Sequence, residues 1–231
     1  MAGLLFAVLA ALSFYACCGE SGIDGRLLTI VYVAMWLPPF LFLSTESRRA
    51  MGFHLPQVWL GLPISLIAGA VLAFICYFVG DALYGHGEEN WFMSVGYRYL
   101  SDQRIVDLPQ HLAFIAFTVP ALIASPVGEE LFFRGVIHHA IEERTGLKIA
   151  TVATSALFAF TQLAHHGIHR TNNGLEILPV SGFLWFLLMF VAGVVFTIAR
   201  HRYGSILASV FAHAGFNLAM NTTIFYALFV Q

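Results

Sequence analysis

Charge is what this chain has least of. Only 10% of its 231 residues are Asp, Glu, Lys or Arg, against about 25% in soluble domains. The net charge is −2, and no basic run is long enough to follow a phosphate backbone, so nucleic acid is excluded as a partner. Cysteine is scarce too. Cys17, Cys18 and Cys76 form neither a disulfide framework nor the paired spacing of a zinc site. No repeat, linker or low-complexity tract divides the sequence, so residues 1–231 read as a single domain. Met1–Ala16 lacks a basic leader, and Phe14-Tyr15-Ala16-Cys17 is a poor lipoprotein cleavage site. The first apolar run is therefore read as a retained helix.

What is abundant is apolar. Hydrophobic residues make up 59% of the chain, and mean hydropathy is +0.79. The fold class expected is all-α, a polytopic membrane bundle of about seven transmembrane helices. The spans lie near Gly3–Cys18, Leu27–Leu43, Trp59–Val79, Leu112–Ile141, Ile149–Ala164, Val180–Arg200 and Gly204–Thr223. Ser125-Pro126 either breaks the fourth into two spans or kinks one. Charge favours the kink. With one kinked span, the basic loops at Arg48-Arg49, at Arg144 and Lys148, and at Arg200 and Arg202 share the inner side. The loop Gly80–His111 is then outside, acidic, with Trp91, Tyr97 and Tyr99 expected at the interface.

Three of these spans carry polar residues that apolar helices rarely keep: Glu129, Glu130 and Arg134 on the fourth; Gln162, then His165, His166 and His169, on the fifth; His213 and Asn217 on the seventh. An ionisable residue inside a membrane is costly and marks function by default. At 1.5 Å per residue, Glu129, Gln162 and His165 lie roughly 20–24 Å from the inner helix ends. His213 and Asn217 lie roughly 14–20 Å in. Acid, imidazole and amide thus share one layer. Glu130 and Arg134 are four apart and can pair, as can His213 and Asn217. The bland readings are a structural ion pair and an interhelical hydrogen bond. His54, His86, His111 and His201 read as solvated, and His138 and His139 as interfacial.

These residues resemble the CAAX-protease and bacteriocin-processing (CPBP) family of intramembrane glutamic endopeptidases, which includes the Ras-converting enzymes. The family's Glu-Glu-x-x-x-Arg motif matches Glu129, Glu130 and Arg134 within PVGEELFFRG, and its His-x-x-x-Asn motif matches His213 and Asn217. The similarity runs from about Leu112 to Leu218, and the first three spans show nothing diagnostic. The middle motif departs from the pattern. Phe158 aligns, but Gln162 stands where the family has histidine, and Gln162 cannot take a proton from water. His165, by preference, or His166 can take that place one turn later.

The resemblance implies a metal-free endopeptidase with no cofactor, acting on a membrane-associated protein or peptide in the lipid bilayer. It implies an integral multi-pass protein of the bacterial cytoplasmic (inner) membrane. Glu129 would be the general base, with Glu130 and Arg134 bracing it. His165 would hold the water, and His213 and Asn217 would form an oxyanion hole. Two rivals stand beside this reading. One is a CPBP-fold scaffold or immunity protein with a damaged middle motif. The other is a histidine-box metalloenzyme built on His138-His139 and His165-His166-x-x-His169, though these are too few boxes for a di-iron site. A prenylated tail, a bacteriocin leader and a sorting tail fit equally well as substrate.

Overall fold

A computed structural model describes residues 12, 25–100, 107–171 and 174–229. The expected first span, Gly3–Cys18, falls almost wholly outside the described residues. Helices dominate the rest. They are α1 (Gly25–Ala34), α2 (Pro38–Phe42), α3 (Thr45–Ala50), α4 (Gly61–Tyr84), α5 (Trp91–Leu100), α6 (Gln110–Glu129), α7 (His138–Thr145), α8 (Leu147–Gln162), α9 (Pro179–Tyr203) and α10 (Ile206–Thr223). An antiparallel hairpin, β1 (Ile168–Thr171) with β2 (Gly174–Ile177), joins α8 to α9 in the register Ile168↔Ile177. Among the described residues, three helical runs are long and apolar enough to cross a membrane: Gly61–Tyr84, Gln110–Thr145 and Pro179–Tyr203. The protein is an integral membrane helical bundle.

Local chemistry sets the element ends. Ser44 caps α3 by accepting from the Ser47 amide at 3.1 Å, and Ser205 caps α10 by accepting from the Leu207 amide at 3.3 Å. Pro179 opens α9, and Gly204 closes it with φ of 66°. The expected second span is interrupted. Pro38 and Pro39 follow a break at Met35–Leu37, so α1 and α2 replace one continuous helix.

The kink question resolves as one run. Residues Gln110–Thr145 are helical throughout, 36 residues long. Pro126 removes one ladder donor without ending the helix. Beyond it the coil widens, and Glu130–Ile137 is π-helical. All eight of those residues are buried. Such π segments are frequent at functional sites.

Small residues let the helices meet at backbone distance, as membrane bundles require. A Cβ on Gly69 of α4 would stand 1.7 Å from the Ala212 carbonyl oxygen, and one on Gly215 would stand 2.0 Å from that of Leu66. This crossing fixes α10 against α4, while α10 also packs on α6 and α9.

The three basic loops share one end of the bundle. The Ser205 hydroxyl donates to the His54 carbonyl at 2.6 Å, and the Ile206 amide donates to that of Gly52 at 2.9 Å. Arg200 reaches Glu142, with the charged atoms 4.0 Å apart. Two expectations need correction. Trp91 is no interfacial anchor. It opens helix α5 within the presumed loop, fully buried, stacked on Trp185 at 5.9 Å and donating to the Cys76 carbonyl at 3.0 Å. Arg200 is not a loop cation but is buried.

Candidate active site

The buried charges lie where the π segment meets α10. Arg134 Nη1 donates to Glu130 Oε1 at 2.9 Å, and both side chains are fully buried. The same oxygen lies 2.9 Å from His213 Nδ1. The other face of that imidazole, Nε2, lies 3.6 Å from Glu129 Oε2. His213 therefore bridges the two glutamates. Two carboxylates, one guanidinium and one imidazole balance to zero charge when the set holds one proton beyond the neutral-imidazole form. A buried charge left uncompensated would cost several kcal/mol, at order of magnitude.

Aromatic rings complete the cage. The Arg134 guanidinium sits over Phe158 at 4.3 Å and over Phe196 at 5.3 Å. Phe196 also stacks on His213, with centroids 5.0 Å apart at 16°. Phe158 was visible in the sequence only as the aligned residue of the middle motif. Its place beneath Arg134 shows why an aromatic ring stands there. Phe196 carried no signal, because an aromatic residue on an apolar helix reads as core.

A cavity of about 270 Å³ opens beside this network. Glu129, Gln162, His165, His213 and Asn217 all line it. Its remaining wall is mostly apolar and aromatic, with Phe117, Trp185, Met189 and Phe216 among the contributors. The Gln162 side chain meets the Glu129 carboxylate. Asn217 Nδ2 donates to the Ala121 carbonyl of α6 at 2.8 Å, one residue after Pro120. Glu130, Arg134 and His166 are not in the wall.

The two histidines after Gln162 separate. Helix α8 ends at Gln162, and residues 163–167 run as turns. Sharing a helical face with Gln162 therefore has no bearing on them. Arg98 pins this turn by donating to the Ala164 carbonyl at 2.5 Å and the Ile168 carbonyl at 3.2 Å. Trp185 Nε1 donates to the Gln162 carbonyl at 3.0 Å. His165 enters the cavity wall, and its Nε2 lies 3.3 Å from the Tyr32 hydroxyl. His166 is fully buried elsewhere, 2.8 Å from the Ser94 hydroxyl and edge-on to Trp91.

Of the two histidines expected at the interface, His138 is buried and His139 only half-buried. His138 is fully enclosed, its Nδ1 3.1 Å from both Arg200 Nη1 and Glu142 Oε2. Arg200 Nη1 also donates to the Arg134 carbonyl at 2.6 Å. Among the described residues, His138, Glu142 and His201 are the group whose ligand atoms gather within 4.8 Å. The donor set would suit a transition metal. The Arg200 guanidinium, however, already stands on two of the three, so the cation that the cluster fits is that arginine.

Residues 111–219 match the Rce1-like family, described as type II CAAX prenyl endopeptidase Rce1-like, and over that segment the chain is similar to the CAAX-type intramembrane proteases. No curated protein and no solved structure matches.

Proposed function

We propose that this protein is a glutamic-type intramembrane endopeptidase that works without a metal, with Glu129 as its general base. One observation carries the reading: Glu129, Gln162, His165, His213 and Asn217, from three separated stretches of chain, line a single cavity. In the proposed reaction Glu129 takes a proton from water while the water oxygen attacks the scissile carbonyl carbon. The C–N bond then breaks, and Glu129 returns the proton to the leaving amine. His165 and the Gln162 amide orient the water. Asn217 has two N–H groups. One is spent on Ala121, and the other remains for the developing oxyanion. His213 Nε2 is the second donor, held in place by Glu130 at its Nδ1. Arg134 balances Glu130 and does not touch the substrate.

The substrate is a membrane-associated protein or peptide that enters the apolar cavity from the bilayer. A second reading, a scaffold that kept the fold without the chemistry, draws on Gln162 standing in the histidine position.

The test uses purified protein in proteoliposomes and quenched-fluorescent peptides ending in Cys-Ala-Ala-X, with and without a farnesyl group on the cysteine. Cleavage by the wild type and none by Glu129→Gln is expected. Wild-type turnover by Glu129→Gln removes Glu129 from the mechanism. A wild type inert toward these and a broad peptide library favours the scaffold.

A further inference from the structure

Helix α1 lies outside the segment that carries the family's motifs, and nothing in its sequence signals chemistry. Yet it forms part of the cavity wall through Thr29 and Tyr32. Two contacts hold it there. Gly128, directly before Glu129, has no side chain to keep α1 away, and a Cβ there would stand 2.2 Å from the Tyr32 carbonyl oxygen. Trp36 Nε1, just past α1, donates to the Ala124 carbonyl at 3.2 Å. Tyr32 is thereby clamped at its backbone beside the catalytic stretch, and its side chain reaches across the wall. Its hydroxyl ends 3.3 Å from His165 Nε2.

Resting on the reading of His165 given above, we propose that Tyr32 is a positioning residue that orients the His165 ring and fixes its tautomer. His165 sits on a turn rather than a helix, so its own backbone restrains the ring less than a helical turn would. A tethered hydroxyl supplies that restraint. The direction of the bond follows from the groups. A phenol is a stronger acid than a neutral imidazole N–H, and an imidazole nitrogen accepts better than a phenol oxygen. The Tyr32 O–H therefore donates to Nε2, and the ring's single proton stays on Nδ1. A neutral ring with a fixed N–H presents a defined donor, whereas a ring that flips presents donor and acceptor in turn. The arrangement supplies the site with an imidazole although Gln162 stands in the histidine position. The imidazole has moved three residues along the chain, and a residue from α1 holds it in its new place.

The experiment compares Tyr32→Phe, His165→Ala and the double variant, all in full-length protein in proteoliposomes, with the farnesylated and unmodified peptides named above. Tyr32→Phe keeps the ring and should leave thermal stability close to wild type. Its kcat should fall about tenfold or more with KM little changed, because a misplaced catalytic group costs turnover rather than binding. In the His165→Ala background, Tyr32→Phe should cost nothing further, since residues acting through one another are not additive. A second readout needs no turnover. In detergent micelles with ¹⁵N-labelled histidine, the His165 resonances, assigned by their loss in His165→Ala, should show the proton on Nδ1. In Tyr32→Phe they should shift toward a mixture of tautomers.

Wild-type protein with the proton on Nε2 overturns the proposal. So do unchanged ring nitrogens in Tyr32→Phe, and so do additive losses in the double variant. If Tyr32→Phe is silent while His165→Ala is inactive, the proposal falls and the reading of the site stands. If His165→Ala is silent as well, both fall.

Discussion

A glutamate buried beside a second glutamate is tolerable only where cations or donors stand against both. Here Glu130 has Arg134 and His213, each at 2.9 Å, and Glu129 faces His213 and Gln162. Arg134→Ala leaves the fully buried Glu130 short of its guanidinium. Breaking such a pair costs about 3–5 kcal/mol. The expected outcome is low membrane yield and early thermal unfolding rather than a clean loss of turnover, read by size-exclusion profile and melting temperature. A well-folded, well-expressed Ala variant would show that the pairing is not structural. The histidines of the turn give the second prediction. His165→Ala should lower turnover by a factor of roughly 100, the range for losing one acid–base partner. His166→Ala should do far less to kcat, because its ring faces Ser94 and Trp91 rather than the cavity. Equal kcat losses in the two variants would contradict that division. Gln162→His should be tolerated, since its side chain already meets Glu129.

At the scale of elements, the site depends on how closely helices approach one another. Helix α6 can continue into a π segment after Pro126 because the widened turn is buried on every side and its backbone finds partners, among them Arg200 on the Arg134 carbonyl. Gly128 serves a different contact, the seat of α1. Gly128→Ala sets a methyl 2.2 Å from a backbone oxygen, which cannot move aside as a flexible side chain could. Overpacking of this kind costs about 1–3 kcal/mol. The predicted result is a protein that still inserts, with a lower melting temperature and reduced turnover, because α1 and Tyr32 are displaced from the wall. Full activity with an unchanged melting temperature would show that α1 is not seated as described. The hairpin β1–β2 was not legible in the sequence. The pairing, which runs from Ile168↔Ile177 to Thr171↔Gly174, joins short segments that no alternating apolar pattern announces.

For the molecule as a whole, orientation and metal dependence are the open variables. The loops after α3, α7 and α9 gather at one end through the contacts of Ser205, Ile206 and Arg200. Single cysteines at Gly146 and Gly204, in a background lacking the native cysteines, should react with an impermeant maleimide from the same side of a sealed vesicle. That side should be the cytoplasmic one, by the excess of Lys and Arg. A cysteine at Gly174 in the hairpin should react from the opposite side. Labelling of Gly146 and Gly204 from opposite sides would mean that the helices cross the membrane in another order. Activity should also survive EDTA and phenanthroline, because the cavity offers one carboxylate and two imidazoles from separated positions rather than a closed ligand set. Loss in chelator with rescue by added metal would return attention to His138, Glu142 and His201.

The sequence by itself determined the solvent and which polar residues gather inside it. So little charge in so apolar a chain requires a membrane. Acids, imidazoles and amides within spans must then face one another, because lipid gives them nothing to bond. That argument picked out Glu129, Glu130, Arg134, His213 and Asn217 from residue type and spacing alone. Tertiary structure decided what spacing cannot reach. Whether Pro126 breaks or bends a helix depends on what surrounds the freed backbone. Which of two adjacent histidines enters the cavity depends on where α8 stops and how Arg98 and Trp185 pin the turn. That Trp91, His138 and Arg200 are interior, and that Tyr32 stands beside His165, follows from contacts between residues far apart in the chain. Periodicity reports only which face of a segment is apolar, and contacts of that kind leave no mark on it.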